Sequence, residues 1–140
     1  MTTEHDVEVS LRWADMDANR HVNNVEFFRL FEEARARWFM TAGDRSQFLD
    51  QGIVVVSQHL DYLRALAYRQ ESVRVGLSVT AVARSSFTLG CRIYDPVECT
   101  GDLVYATGSV VIVAFDDETG RARRLDPEEL QWLKAAGGEV

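Results

Sequence analysis

Cysteine, proline and linker-type segments are scarce in this sequence, and each scarcity excludes a class of protein. The 140 residues include two prolines and two cysteines, Cys91 and Cys99. The cysteines form neither a CxxC pair nor a cysteine–histidine cluster, so the sequence predicts no structural zinc site. Cys91 is expected to be a small buried residue in a strand. Without a Pro-, Gly- or Ser-rich linker, we expect a single domain over residues 1–140.

Positive charge is also in short supply. The chain has 15 Lys and Arg against 22 Asp and Glu, a net charge of −7. An acidic chain without a basic face is a poor partner for nucleic acid or for an anionic membrane. The polar start "MTTEHDVEV" lacks the apolar core of a signal peptide, and no apolar run is long enough to span a bilayer. We therefore expect a cytoplasmic protein with neither kind of partner.

What the sequence does contain is a regular succession of apolar patterns. They predict a strand over 7–13, a helix over 25–42, strands over 53–63, 72–83, 86–95 and 103–115, and a second helix that starts at Pro127 behind the cap Asp126. Short connections between consecutive strands favour an antiparallel sheet. One long apolar helix against such a sheet gives an α+β architecture. The strand over 103–115 is apolar on both faces toward its end, which is typical of a central strand.

The first helix has an unusually wide apolar face. Its apolar residues recur at spacings of four, three and four: Phe27, Phe31, Ala34 and Trp38. Asn23 or Asn24 can cap its start, and Gly43 is well placed just past its end. A helix this apolar is expected to be wrapped by something larger, such as a curved sheet.

A dense polar segment, "RWADMDANRHVNN" over residues 12–24, comes immediately before this helix. The first N–H groups of a helix have no intrahelical partner and lie at the positive end of its dipole, so they can stabilise an oxyanion. The Asp17 carboxylate could act as a nucleophile or as a general base on water. Taken alone, however, an aspartate here is more typical of an Asx-turn or a cap than of a catalytic group. For Asp15 we expect a structural role, such as a salt bridge to Arg12.

The element order and this segment together resemble the hotdog-fold acyl-thioesterases, which include the 4-hydroxybenzoyl-CoA thioesterases and broad-specificity acyl-CoA relatives. The resemblance covers nearly the whole chain and is sharpest over residues 11–38. There an aromatic strand end, a D-x-D pair and an H-V step precede an aromatic-rich helix with an E-x-A-R segment, here Glu32 to Arg35. The resemblance implies a hotdog fold, in which an antiparallel sheet wraps around one long central helix.

The resemblance also assigns roles around the helix start. The family's catalytic carboxylate matches Asp17, and the backbone N–H that polarises the thioester carbonyl matches Asn24. The D-x-N-x-H spacing of Asp17, Asn19 and His21 is similar to plant acyl-ACP thioesterases, in which all three side chains are catalytic. The benzoyl-type enzymes instead place a Gly-containing loop after the aspartate, where this chain has Asn19 and Arg20. Asp17 could thus act directly, or through a water molecule oriented by Asn19 and His21.

Four further residues are candidates for substrate binding. Arg64 and Arg84 could meet the phosphates of coenzyme A, because a guanidinium binds phosphate through two parallel hydrogen bonds. Ser86 aligns roughly with a hydroxyl found near the active site of relatives. His59 is expected to be structural or to line the pocket.

The resulting prediction is an acyl-CoA thioesterase that needs no cofactor and acts on an acyl-CoA or acyl-carrier-protein thioester. Family members build the site between two chains, so we expect a homodimer or a homotetramer. One alternative is a hotdog hydratase or dehydratase on acyl thioesters, and another is a non-enzymatic acyl-thioester-binding module. The absence of a G-x-S-x-G motif argues against an α/β-hydrolase.

Overall fold

One antiparallel sheet and one long helix form the centre of the molecule. The computed structural model describes residues 3–41 and 52–138. Their elements are β1 (His5–Val9), a 3₁₀ turn (Trp13–Asp15), α1 (Asn24–Met40), β2 (Ile53–Tyr62), β3 (Val73–Val82), β4 (Ser86–Asp95), β5 (Leu103–Asp116), β6 (Arg121–Ala122) and α2 (Pro127–Ala135). The predicted order β-α-β-β-β-β-α is confirmed, with the two-residue β6 as an addition.

The strands lie in the order β1-β3-β4-β5-β2, and β6 pairs with β5. All of these pairings are antiparallel, and β5 lies between β4 and β2 as expected of a central strand. β2 therefore forms one edge of the sheet, because its only strand partner among the described residues is β5. This edge position matters below, since β2 borders the candidate site.

The central helix α1 is fixed against the sheet by buried aromatic and aliphatic side chains. Phe31 and Leu30 are fully buried, and burying each such side chain stabilises the fold by about 1.5–3 kcal/mol. At the far end of α1, the Trp38 ring lies 4.5 Å from that of Trp132 on α2, centroid to centroid. The Phe39 ring meets Phe87 of β4 edge-on at 6.0 Å. This packing holds α1 rigidly, so the position of its first turn is well determined.

The first strand and α1 both end earlier in the structure than the sequence predicts. The first strand ends at Val9 instead of Trp13, because the Asp15 carboxylate accepts the Arg12 N–H at 2.7 Å and bends the chain into the 3₁₀ turn. The helix ends at Met40 instead of Ala42, with Thr41 as its C-cap. Gly43, expected just past the helix, lies outside the described residues.

Cys91 is buried on β4, as predicted. Burial raises the pKa of its thiol to about 12, so it is protonated and unreactive at neutral pH. Within residues 3–41 and 52–138, no helix is long and apolar enough to cross a membrane.

Candidate active site at the start of helix α1

The polar segment before α1 folds into a tight hairpin-like turn. Met16 and Val22 form an isolated antiparallel bridge. Between them, the Asp17 N–H donates to the His21 carbonyl at 3.1 Å, and the Arg20 N–H donates back to the Asp17 carbonyl at 3.0 Å. The turn therefore places Asp17 and His21 directly opposite each other.

Arg20 adopts the left-handed backbone conformation, with φ of 65°. A glycine takes this conformation without steric cost, whereas an L side chain is strained there. Arg20 thus occupies the backbone role that a glycine would fill in this kind of turn. Asn19, its neighbour in the loop, does not adopt this conformation.

Asp15 anchors the turn to the helix. Its side chain is fully buried and accepts hydrogen bonds from the Arg12 side chain at 2.9 Å and from Arg29 of α1 at 2.5 Å. Its carbonyl also accepts the Asn23 N–H at 2.9 Å. Burial by itself raises the pKa of Asp15, but the hydrogen bonds from Arg12 and Arg29 outweigh it and the pKa lies below its usual value. The expected salt bridge from Asp15 to Arg12 is confirmed.

Asp17 has a different environment. It is partly exposed, and its two carboxylate oxygens accept hydrogen bonds from neutral donors. Oδ1 accepts the Asn19 N–H at 2.9 Å, and Oδ2 accepts the Asn23 side-chain amide at 3.3 Å. Among the ion pairs of the described residues, none involves Asp17. Its negative charge is therefore held in place without being neutralised.

The first turn of α1 lies beside this carboxylate. Asn23 is the N-cap, and its side-chain oxygen accepts the Val25 N–H at 2.9 Å. Asn24 is the first helical residue, and its N–H has no acceptor in the parts of the chain that the structure describes. Of the two residues that could cap the helix, Asn23 does so, which leaves the Asn24 N–H available as a donor.

A cleft of about 320 Å³ opens at this helix start. It lies between the turn, α1 and the end of β2, and its apolar walls include the side chain of the buried Phe27. It is lined by His21, Val22, Asn24, Phe27, Tyr62, Leu63, Arg64 and Ala65. Asp17 is outside this lining but is joined to His21 by the backbone hydrogen bond described above.

The predicted site residues divide into two groups. The turn and cleft bring together Asp17, Asn19, His21, Asn24 and Arg64. The other three lie elsewhere in the chain. His59 is exposed on β2, its ring 3.1 Å from Asp61; Ser86 begins β4, opposite Val113 of β5; and Arg84 lies in the exposed β3–β4 connection.

Two residues of the site were not predicted from the sequence. Asn23 was expected only as a possible cap, yet its amide also donates to Asp17. Tyr62 was not singled out, yet its hydroxyl donates to the Asn24 carbonyl at 2.8 Å. Its place at the end of β2 carries no local signal, because only the fold brings residue 62 to residue 24.

An N–H donor at a helix start and a carboxylate beside it, opening on an apolar cleft, suit the hydrolysis of an activated acyl group. The sequence profile of the Thioesterase-like superfamily matches residues 11–133. The chain belongs to this superfamily, which confirms the predicted enzyme class of thioester hydrolase.

Individual proteins also resemble this chain over most of its length. The uncharacterised Bacillus subtilis protein YsmA is 35% identical over 126 residues, which cover 90% of this chain and 82% of the relative. A candidate thioesterase from Pseudomonas aeruginosa superposes with a TM-score of 0.80 at 28% identity, over 97% of this chain and 98% of the other. A Thermus thermophilus thioesterase, solved with coenzyme A and Zn, gives a TM-score of 0.77 at 27% identity, over 94% and 92%. The predicted hotdog fold is thereby confirmed.

Proposed function

We propose that this protein is a cytoplasmic acyl-CoA thioesterase that uses Asp17 as a general base. The observation that carries the proposal is the first turn of α1, where the Asn24 N–H has no acceptor within the described residues and Asn24 lines an apolar cleft near the Asp17 carboxylate. The coenzyme A bound to the Thermus thermophilus relative supports a CoA thioester as the substrate class.

In the proposed reaction, the Asn24 N–H binds the thioester carbonyl oxygen. Asp17 accepts a proton from a water molecule, and the water oxygen attacks the carbonyl carbon. The Asn24 N–H stabilises the oxyanion, a role worth about 3–4 kcal/mol in the transition state. The C–S bond then breaks, the sulfur leaves with the electron pair, and the proton held by Asp17 returns to the thiolate.

Two features favour a general base over a nucleophile. Asp17 lies just outside the cleft lining, which leaves room for a water molecule between its carboxylate and a bound thioester. Both of its oxygens also accept hydrogen bonds, which hold the carboxylate in this position and keep it from moving onto the acyl carbon. His21 lines the cleft next to this position, and we assign His21 and Asn19 the task of orienting the water.

We further propose that the working enzyme is a homodimer formed through β2, or a homotetramer built from two such dimers. β2 is an edge strand on which Val54, Val55 and Val56 are 37%, 40% and 59% exposed. An exposed apolar edge strand is a template for pairing with another strand. The cleft lies at the Tyr62 end of this same edge.

Antiparallel pairing of two β2 strands would also reunite the two groups of predicted site residues. Within one chain, Tyr62 lies opposite Ala106 of β5 and Ser86 lies opposite Val113. These β5 positions are about 23 Å apart, at roughly 3.3 Å per residue. A two-fold axis across β2 would bring the partner's Ser86 and the partner's Arg84 toward the cleft, where they could bind coenzyme A alongside Arg64.

The test is thiol release from short, long and aromatic acyl-CoAs by the wild type and by Asp17→Asn. We expect turnover on part of the panel and a loss of roughly a hundredfold or more in the variant, the scale of an essential acid–base group. Crotonyl-CoA hydration without thiol release would replace the proposal by a hydratase, and tight acyl-CoA binding without turnover would replace it by a binding module.

A single turnover in ¹⁸O-labelled water tests whether Asp17 transfers one of its own oxygen atoms to the product. A general base places the label in the product acid on the first turnover. Unlabelled product together with labelled protein would instead establish a covalent anhydride on Asp17.

A further inference from the structure

Tyr62 joins the edge strand to the proposed oxyanion site. It is the last residue of β2, and its hydroxyl donates to the carbonyl of Asn24 at 2.8 Å. Its ring stacks on that of Phe27, with 5.2 Å between centroids and 23° between planes. The ring contact fixes the direction in which the hydroxyl points. Tyr62 is therefore attached to the first turn of α1 both by its ring and by its hydroxyl.

This hydrogen bond is the first link of a longer chain. The Asn24 carbonyl shares its peptide group with the Val25 N–H, and that N–H donates to the Asn23 side-chain oxygen at 2.9 Å. The nitrogen of the same Asn23 amide donates to Asp17 Oδ2 at 3.3 Å. Two amide groups thus connect the Tyr62 hydroxyl to the Asp17 carboxylate, and at each link the donor and the acceptor point in the same direction.

Such a head-to-tail arrangement is cooperative. A hydrogen bond accepted at an amide oxygen polarises the amide and makes its own N–H a stronger donor. The carboxylate at the end of the chain is the strongest acceptor in it, since hydrogen bonds to ionised groups are stronger than those between neutral groups. The Tyr62 hydroxyl therefore strengthens the donor that Asn23 presents to Asp17, and it also fixes the peptide that follows Asn24.

We propose that Tyr62 and Asn23 are positioning residues, forming a relay that fixes the orientation of the Asp17 carboxylate toward the attacking water and so sets kcat. This role rests on the proposed function, because Asp17 and Asn24 carry the chemistry there. Tyr62 is 42% exposed at the cleft, so its role is not that of a buried core residue. Partial burial raises the pKa of its phenol, which keeps the hydroxyl protonated as a donor.

A purely structural role can be distinguished by substitutions that keep the structure. Tyr62→Phe keeps the ring stacked on Phe27 and removes only the hydroxyl. Asn23→Ser keeps a good N-cap acceptor for α1 and removes only the donor to Asp17. Tyr94→Phe is the matched control, since it removes a tyrosine hydrogen bond to Asp6 at 2.5 Å that lies outside the relay.

The experiment measures kcat and KM of these variants and of the double variant on the best acyl-CoA. We expect Tyr62→Phe to lower kcat about fivefold, the scale of one hydrogen bond felt in the transition state, with KM within twofold. In the Asn23→Ser background the same substitution should change kcat by less than twofold, because the relay is already broken. The proposal would be overturned if the losses of kcat in Tyr62→Phe and Asn23→Ser multiplied in the double variant. An unchanged kcat in Tyr62→Phe, or an equal loss in Tyr94→Phe, would also overturn it.

A second measurement does not depend on turnover. In Tyr62→Phe, the proton resonances of the Val25 N–H and of the Asn23 side-chain amide should move upfield, whereas in Tyr94→Phe they should not. Unmoved resonances would overturn the relay even in an active enzyme. Moved resonances in a protein without thiol release would support the relay and show that the proposed function is what fails.

Discussion

Asp15 and Asp17 lie two residues apart, in one segment of the chain, and have opposite environments. Asp15 is fully buried and accepts hydrogen bonds from two arginines. Asp17 is partly exposed and is held by a backbone N–H and an asparagine amide. The first carboxylate is neutralised and fixes the turn to α1. The second keeps its charge available to the cleft.

The difference shows how this fold separates stability from chemistry. A carboxylate neutralised by arginine is a poor base, because removing its charge also removes its ion pairs. A carboxylate held by neutral donors keeps both its orientation and its ability to accept a proton. The rigid anchoring of Asp15 is what permits Asp17 to remain poorly neutralised in a defined position.

The largest effects are expected from Asp15→Asn and Asp17→Asn, of which the first should affect mainly stability and the second mainly turnover. Asp15→Asn should lower the free energy of unfolding by about 2–3 kcal/mol, because Arg29 loses its buried ionic partner. Asp17→Asn should change stability little and remove most of the turnover. Thermal and urea unfolding alongside thiol release test this, and an Asp15→Asn protein of unchanged stability would remove Asp15 as the anchor.

Acid should remove the stability that the anchored Asp15 carboxylate contributes. The pKa of Asp15 is lower in the folded state than its usual value, so its contribution to stability is complete above the unfolded pKa of about 4. That contribution is lost as the pH falls through the lower, folded pKa. Urea unfolding at a series of pH values from 6 to about 2 should therefore show a smaller acid-induced loss in Asp15→Asn than in the wild type. Equal losses would contradict this.

A smaller difference in kcat is expected between substitutions of His21 and His59, the two histidines of the predicted site. His21 lines the cleft, whereas His59 is exposed on β2 beside Asp61. We expect His21→Gln to lower kcat at least tenfold, in keeping with a group that orients or transfers a proton. The kcat of His59→Gln should stay within twofold of the wild type. A loss comparable to that of His21→Gln would indicate that His59 contributes to the site of a second chain.

The smallest effect concerns the turn that carries Asp17. Arg20 has φ of 65°, where glycine is free of strain. Arg20→Gly should therefore stabilise the protein by about 0.5–1 kcal/mol, measured as a rise in the urea midpoint. A loss of stability would indicate that the arginine side chain contributes more than its backbone strain costs.

Much of the architecture was predictable because it depends on local patterns. The alternation in β4 gave its bounds, residues 86–95, without error, and Asp126 and Pro127 were correctly placed at the start of α2. The first strand was predicted too long, since nothing in the alternation from Val7 to Trp13 reveals that Asp15 would bend the chain. Asn23 and Asn24 were equivalent as caps in sequence, and the turn geometry decided between them.

The order of elements, the apolar face of α1 and the concentration of polar residues before it could all be recognised from local sequence patterns. These follow from periodicity, caps and the composition of a short segment, all of which act over a few residues. The burial of Asp15, the edge position of β2 and the hydrogen bond from Tyr62 to Asn24 arise only when the chain is folded. Burial and long-range hydrogen bonds depend on which distant segments meet, and that is set by packing the whole sheet around α1.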